Sequence, residues 1–299
     1  MFGFFNNKVF DKGWLPPEEG HEIYYQQMGN PSGEPVLFFH GGPGGGCKDS
    51  HAKCFNTKKQ RIIMFDQRGC SHSKAEDPIA LNDTKRLLKD AKRLLEYLNI
   101  KDKVITSGVS WGSTLALLFA ERYPQIVKEL CIYSVFLADR ESIDWILRGS
   151  GLFYPDLLEE IYRQSEGENP YTHYAKLAFS EDLSSIQSAM KYMANYERIL
   201  GRVDAHFEDT RIDNDSINAM RISLYYAANH YFLDDNEIIK NIDKIKDIPT
   251  FIAHNRLDMC CPIKGAWKLY RAMSNAQIKI VADRGHSSKA LKKAVREHF

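Results

Sequence analysis

The sequence predicts an α/β fold: a mostly parallel sheet with helices on both faces, interrupted by an inserted helical cap. Three observations predict it. Short apolar runs alternate with amphipathic stretches up to residue 136, and the same alternation returns after residue 235. Between them, over 137–235, the pattern is mostly helical and aromatic-rich, with no clear strand. Strands that read as continuous apolar runs between helices belong to a parallel sheet covered on both sides. The chain therefore divides into a core, 1–136 and 236–299, and a cap, 137–235. Such a cap would lie over the sheet's C-terminal edge, where open α/β sheets place their ligands.

The elements follow in order. Glu22–Met28 offers an antiparallel edge strand. Val36–Phe39 is a buried-strand run that ends in His40-Gly-Gly-Pro-Gly-Gly-Gly46, and Arg61–Phe65 is a strand that ends at Asp66-Gln-Arg-Gly69. Asn82–Leu98 is a helix, because Leu87, Leu88, Ala91, Leu94, Leu95 and Leu98 recur at three-and-four spacing. Val104–Thr106 is a strand broken by Gly108, followed by an apolar helix over Ser113–Tyr123 that Pro124 stops. Glu129–Val135 is a strand. After the cap come a strand at Ile248–Ala253, a helix at Lys264–Met273, a strand at Ala276–Val281 and a basic helix at Ser288–His298.

Composition excludes several classes of function. The 299 residues carry 40 Lys and Arg against 39 Asp and Glu, a net charge of +1 that leaves no electrostatic footprint for nucleic acid or an anionic membrane. No apolar run approaches the ~20 residues of a membrane helix. The segment Met1–Lys8 has aromatics but no sustained apolar stretch and no small-residue cleavage site, so a mature, non-secreted protein is expected. Cys47, Cys54, Cys70, Cys131, Cys260 and Cys261 show no metal-ligand spacing and are expected as reduced thiols of a cytoplasmic protein. No metal and no cofactor is expected. Nothing in the sequence fixes an oligomeric state.

The chemistry centres on Gly108-Val-Ser-Trp-Gly112, a G-x-S-x-G between a strand and a helix. There a tight turn lifts the serine hydroxyl off the strand end and sets Ser110 at a helix N-terminus, which favours developing negative charge. A serine nucleophile needs a base, and the base an orienting acid, in the order Ser, Asp, His on this architecture. His286 and Asp258 each follow a late strand and reach the edge that carries Ser110. His40 is expected to support the glycine loop, His254 to pack in its strand and His298 to be solvated. Asp283 lies only three residues from His286, and Asp247 lies at the wrong edge. The glycine run can aim a backbone N–H at a tetrahedral oxyanion. Gly42 is the candidate, with Gly41 as alternative, and the Trp111 N–H is the second donor. No Gly-Lys-Ser/Thr follows the run, which excludes a phosphate loop. Pro43 and the polar residues after the run exclude a dinucleotide site.

With these residues assembled, the chain resembles the proline iminopeptidase (prolyl aminopeptidase) family of α/β-hydrolases over nearly its whole length. The family's H-G-G-P-G-G-G is intact at His40–Gly46. Its D-Q-R-G-x-G-x-S reads Asp66-Gln-Arg-Gly-Cys-Ser-His-Ser73, with Ser71 in place of a glycine. Its G-G-S-W-G-S-T-L-A reads Gly108-Val-Ser-Trp-Gly-Ser-Thr-Leu-Ala116. Its G-R-x-D-x-x-C-P and G-H-S stand at Asn255–Pro262 and Gly285–Ser287.

The resemblance implies release of N-terminal proline from short peptides with a free N-terminus, under a cap that holds the substrate's amino end. Two cap glutamates bind that amine in the family. W-x-x-W-E is matched by Met193-Ala-Asn-Tyr-Glu197, whereas A-x-I-E-x-H-Y-F reads Tyr225–Phe232 with Ala228 at the glutamate position. The family's proline pocket is matched by Phe136 and Phe232, while its W-F-Y-Q-E-G has become Trp145-Ile-Leu-Arg-Gly-Ser150. The competing readings are a solvated helix face for Glu197 and plain packing for the two phenylalanines. The expected activity is that of a serine aminopeptidase. An esterase or amidase with a decayed amine site is the alternative, and a non-catalytic receptor is disfavoured by the intact triad. Haloalkane and epoxide hydrolysis want an aspartate where Ser110 stands.

Overall fold

Alternation within each apolar run decides the two faces of the sheet. In the computed structural model, which describes residues 9–202, 204–206 and 213–299, Leu37 and Phe39 pack with Leu87, Leu94, Leu115 and Phe119. Val36 and Phe38 pack on the opposite face with Leu291 and Val295. Successive strand side chains point to opposite faces, so a run apolar at every position is buried on both.

The strands are β1 (Val9–Trp14), β2 (His21–Glu22), β3 (Tyr24–Gly29), β4 (Glu34–Phe39), β5 (Gln60–Phe65), β6 (Lys74–Ala75), β7 (Val104–Ser110), β8 (Val127–Val135), β9 (Thr250–Leu257) and β10 (Ala276–Arg284). Eight of them form one sheet in the order β1-β3-β5-β4-β7-β8-β9-β10, and β2 pairs with β6 apart from it. From β5 to β10 the pairing is parallel, while β1–β3 and β3–β5 are antiparallel. The expected antiparallel strand is present, but it is not the edge. β1 adds outside it, alternating half-buried and exposed residues with charged Asp11 and Lys12 among them. β7 also departs from expectation. It runs unbroken through Gly108 to Ser110 because Gly108 pairs with Ile132, and its missing side chain lets the Gly112 carbonyl approach.

Helices α1 (Thr84–Tyr97) and α2 (Trp111–Arg122) follow β6 and β7. Between β8 and β9 come α3 (Arg140–Leu147), α4 (Pro155–Gln164), α5 (Pro170–Ala178), α6 (Leu183–Ala189), α7 (Asn195–Gly201), α8 (Asn214–Ala228) and α9 (Glu237–Lys240). A π-helical turn, Met190–Ala194, joins α6 to α7. Among the described residues of 137–235 there is no strand. Helices α10 (Ile263–Ala272) and α11 (Lys289–His298) complete the chain's later strand–helix units. Asp83, Asp139, Asn169, Asp182, Asp213 and Ser288 cap α1, α3, α5, α6, α8 and α11 through side-chain oxygens, each contributing about 1 kcal/mol. Among the described residues no helix is long and apolar enough to cross a membrane. The Met1–Lys8 reading lies outside the described residues.

Candidate active site

Ser110 closes β7 and caps α2 with φ 57° and ψ −127°. A non-glycine residue held there costs of order 1–3 kcal/mol, which the strand before it and the helix after it must impose. The strain lifts the side chain into a cavity of about 660 Å³, lined among others by Gly42, Glu197, Ser223 and His286. A smaller chamber of about 60 Å³ continues inward between Ser110, Phe136, Tyr171, Glu197, Tyr231 and Cys261.

Asp258 follows β9 directly. Its Oδ1 accepts the Cys260 and Cys261 N–H groups at 3.0 and 2.9 Å, and its Oδ2 meets His286 Nδ1 at 2.8 Å. Burial works to raise the Asp258 carboxyl, but the charge and hydrogen bond of His286 hold it below the usual range. His286 shows the converse: burial pulls it down, and Asp258 and Cys260 together lift it to about 10. The pair therefore favours the ionised carboxylate beside a protonated imidazole, whose Nδ1 proton faces Asp258. His286 Nε2 is buried and makes no hydrogen bond among the described residues. The Ser110 hydroxyl lies near the Cys261 thiol, and no Ser110–His286 hydrogen bond is formed in this state. Both residues nonetheless face the same cavity.

The glycine loop is braced from behind. Buried His40 accepts the Gln67 N–H at Nε2 (3.0 Å), which leaves Nδ1 to donate to the Gly41 carbonyl (2.7 Å). Burial lowers its pKa, in keeping with this neutral form. Gln67 also donates to the His40 carbonyl at 2.9 Å and accepts the Trp111 indole N–H at 3.0 Å. Asp66 accepts the Cys47 N–H at the loop's far end, 2.6 Å away. Arg68 is fully buried in a bidentate pair with Asp90 at 2.6 and 3.0 Å. Asp66, Gln67 and Arg68 thus explain a motif whose role sequence reasoning missed: they fix the turn that fixes the loop. As the first residue of α2, Trp111 has a backbone N–H with no intrahelical partner. α8 presses on the loop so closely that a Cβ on Gly44 would stand 2.1 Å from the Ala219 carbonyl oxygen.

His254 is buried, as its strand position predicts, and accepts the Val135 N–H at 3.1 Å while Nε2 donates to the Cys261 carbonyl at 2.7 Å. His298 departs from the solvated reading: it stacks on Phe251 with ring centroids 4.2 Å apart and pairs with Glu129.

The helical side of the site is assembled differently. Glu197 lines both the cavity and the inner chamber, has no ionic or hydrogen-bonding partner among the described residues, and is raised to about 7 by burial. That sets it on the cavity wall, half-buried, rather than on an open helix face. Phe136 lines the chamber, edge-on to Tyr231 at 5.1 Å. Phe232 does not line it. It packs on Tyr225 and Tyr226 and lines a separate cavity of about 190 Å³ with Thr84, Leu88 and Glu121. His230, Tyr231 and Phe232 are all left-handed, with φ of 50°, 56° and 55°, and this turn sends consecutive side chains to different cavities. Tyr231, between Trp111 and Phe136, occupies the position expected of Phe232. Ala228, in the last turn of α8, lines neither the cavity nor the chamber; Ser216, Ala219, Met220 and Ser223 form the α8 face that does. Tyr171 and Ser223 lay in no motif of the sequence reading, and Tyr231 lay inside the H-Y-F match without being given a role.

Cys260, Cys261 and His286 also converge, with ligand atoms within 4.8 Å of one another. Linear spacing concealed this, since His286 arrives from the end of the neighbouring strand. A hydrogen bond with Cys261, helped by the charge of His286, lowers the Cys260 thiol against the effect of burial.

A family model described as the alpha/beta hydrolase fold matches residues 34–292. A proline iminopeptidase of Arabidopsis thaliana is 35% identical over 288 residues, covering 93% of this chain and 76% of the relative. One from Neisseria meningitidis is 34% identical over 283 residues, covering 91% and 89%. Among solved structures, a proline iminopeptidase-related protein of Thermus thermophilus aligns with TM-score 0.61 at 19% identity over 96% of both chains. A lipase from Acinetobacter baumannii aligns with TM-score 0.62 at 18% identity, over 96% of this chain and 88% of the other. These structures bear on the fold alone.

Proposed function

Since the chain belongs to the proline iminopeptidase family of α/β-hydrolases, we propose that it is a serine aminopeptidase that releases proline from the N-terminus of short peptides. The observation that carries this reading is the half-buried Glu197 carboxyl, which has no partner among the described residues in the chamber that opens on Ser110. A buried carboxyl normally has a compensating group. A substrate ammonium would supply one: at ~4 Å and an effective dielectric near 20 the attraction is about 4 kcal/mol before desolvation. The helical block acts as the cap that closes over this amine, and Phe136 and Tyr231 offer flat apolar walls for a pyrrolidine ring.

In the proposed mechanism, Ser110 turns about χ1 from the Cys261 thiol toward His286. Its oxygen attacks the prolyl carbonyl carbon as Nε2, in the neutral form of His286, takes its proton. Asp258 keeps the other proton on Nδ1 and stabilises the imidazolium. The Gly42 and Trp111 N–H groups receive the oxyanion. The imidazolium then protonates the departing amine, and water, activated by the same nitrogen, releases proline from the acyl-enzyme. No step calls for a cofactor. The compartment proposed is the cytoplasm, in keeping with six free cysteines.

The test compares free proline arylamide, free alanine arylamide, N-acetylproline arylamide and a short-chain ester. The proline arylamide should exceed the N-acetyl compound at least ten-fold in kcat/KM. A second reading, an esterase or amidase on small acyl compounds, is favoured by one observation: Ser223, not a second carboxylate, stands with Glu197 in the chamber. Ester turnover far above both proline amides, with no discrimination between them, would select it.

A further inference from the structure

The fold places two thiols and an imidazole around one point at the catalytic centre. Cys260 Sγ, Cys261 Sγ and a ring nitrogen of His286 lie within 4.8 Å of one another. His286 Nδ1 is engaged by Asp258 at 2.8 Å, so the nitrogen free to ligate is Nε2, which is buried and makes no hydrogen bond among the described residues. We propose that these three side chains form an inhibitory site for a single thiophilic divalent cation, Zn²⁺ or Cd²⁺, which disables the enzyme by occupying its general base.

The donor set is the argument. Two sulfurs and one imidazole nitrogen suit a soft or borderline cation and not Mg²⁺ or Ca²⁺, which prefer oxygen. Zinc holds sulfur at about 2.3 Å and nitrogen at about 2.0 Å, so its tetrahedral ligands stand roughly 3.5 Å apart. The present cluster needs a contraction of about 1 Å, within reach of two cysteine side-chain rotations. Asp258 already provides the outer carboxylate that metal-bound histidines usually have. The Cys260 and Cys261 N–H groups that bind Asp258 hold both cysteines at this point from the backbone. Ser110, in contact with the Cys261 thiol, lies beside the fourth position. Cys260, His286 and Ser110 all line the open cavity of about 660 Å³, so a hydrated ion has a path in. On binding, the two thiols and Nε2 pass their protons to solvent, and the lone pair so freed on Nε2 goes to the ion. Nothing is oxidised. Nε2 can then no longer accept the Ser110 proton. The binding site stands on this geometry alone; the inhibition rests on the proposed role of His286.

Two measurements separate those halves. Cd²⁺ titrated into the purified protein should give a thiolate-to-metal charge-transfer band saturating at one ion per chain, in wild type and in Ser110→Ala alike. Buffered free Zn²⁺ should abolish turnover of the best arylamide or ester substrate, with full recovery in EDTA. With each rate normalised to the variant's own metal-free value, Cys260→Ser should raise the half-inhibitory Zn²⁺ at least ten-fold. Cys261→Ser, read by Cd²⁺ absorbance, serves if the first variant folds poorly. Absence of the band, or Zn²⁺ inhibition unaltered by Cys260→Ser, overturns the site. A band without inhibition overturns the inhibitory role. Turnover that persists in Ser110→Ala overturns the nucleophile assignment and leaves the Cd²⁺ result standing.

Discussion

The two sides of the cavity are built on opposite terms. On the sheet side, nearly every polar atom near the reaction point is tied down. Asp258 accepts from two backbone N–H groups and from His286, and His40, Gln67 and Trp111 form a buried hydrogen-bonded chain behind the glycine loop. On the helical side, Glu197 has no partner among the described residues and the wall around it includes Met190, Met193 and Ser223. Under the proposed function, the difference separates the side that would do chemistry from the side that waits for a ligand. Groups that must hold an oxyanion or a tautomer need geometry fixed in advance. A group that must bind a cation is best left uncompensated until the cation arrives.

The largest effect should follow from breaking the fixed side. Ser110→Ala should lower kcat on the order of a thousand-fold or more, measured on the best arylamide or ester, leaving only what the oxyanion donors supply. Next is the waiting side. Glu197→Gln should cut the kcat/KM ratio of free to N-acetylated proline arylamide about ten-fold. Its carboxyl is raised to about 7 by burial, so in wild type it is neutral below that value and charged above it. The same ratio should therefore climb between about pH 6 and about pH 8, and this climb should vanish in Glu197→Gln. A ratio that ignores both the substitution and pH would erase the contrast between the two sides of the cavity.

Smaller effects sharpen the boundary. Tyr231→Ala should raise KM for the proline arylamide about five-fold, whereas Phe232→Ala should leave KM unchanged and lower the melting temperature, since it fills a different cavity. Glu121 is the control for Glu197. It is buried, with an Oε1 that has no hydrogen-bond partner among the described residues, but it lies beside Phe232, and burial raises it to about 8 against a weaker lowering effect of Lys244. The unfolded chain loses this proton near its ordinary value of 4.5, whereas the folded chain keeps it to about 8. The destabilisation is therefore absent at low pH, grows as pH rises through that window and is complete above it. Glu121→Gln should raise Tm by about 2 °C near pH 9, with no gain near pH 4 and no change in kinetics.

Legibility in the sequence followed the same divide. The convergence of Ser110, Asp258 and His286 was legible from strand–turn–helix context because loops at a sheet edge meet whatever their separation in the chain. β9 and β10 ran further than their apolar cores predicted, since Leu257 and Arg284 pair beyond the buried stretch. β1 was invisible because an edge strand with Asp11 and Lys12 lacks the apolar run that marks buried strands. In the helical block, position in a motif did not fix direction. Phe232 and Tyr231 exchange roles through three left-handed residues, which no hydrophobic period encodes. The convergence of Cys260, Cys261 and His286 depends on strand register and was equally hidden.

One link across the divide has a consequence for how such proteins change over time. The His286 N–H donates to the Gly201 carbonyl at the end of α7, at 2.9 Å, while the His286 carbonyl accepts the Ser134 hydroxyl at 2.6 Å. The first bond joins main chain to main chain, so it demands a shape and no particular side chain. Substitution can reshape the lining of α7 without loosening His286, and a lineage can explore new substrates there at little mechanical risk. Deletions and insertions carry the opposite hazard. Removing one residue from α7 would turn that carbonyl by ~100° and withdraw a support from the histidine. Drift in composition with conservation of length is the signature this arrangement should leave on α7.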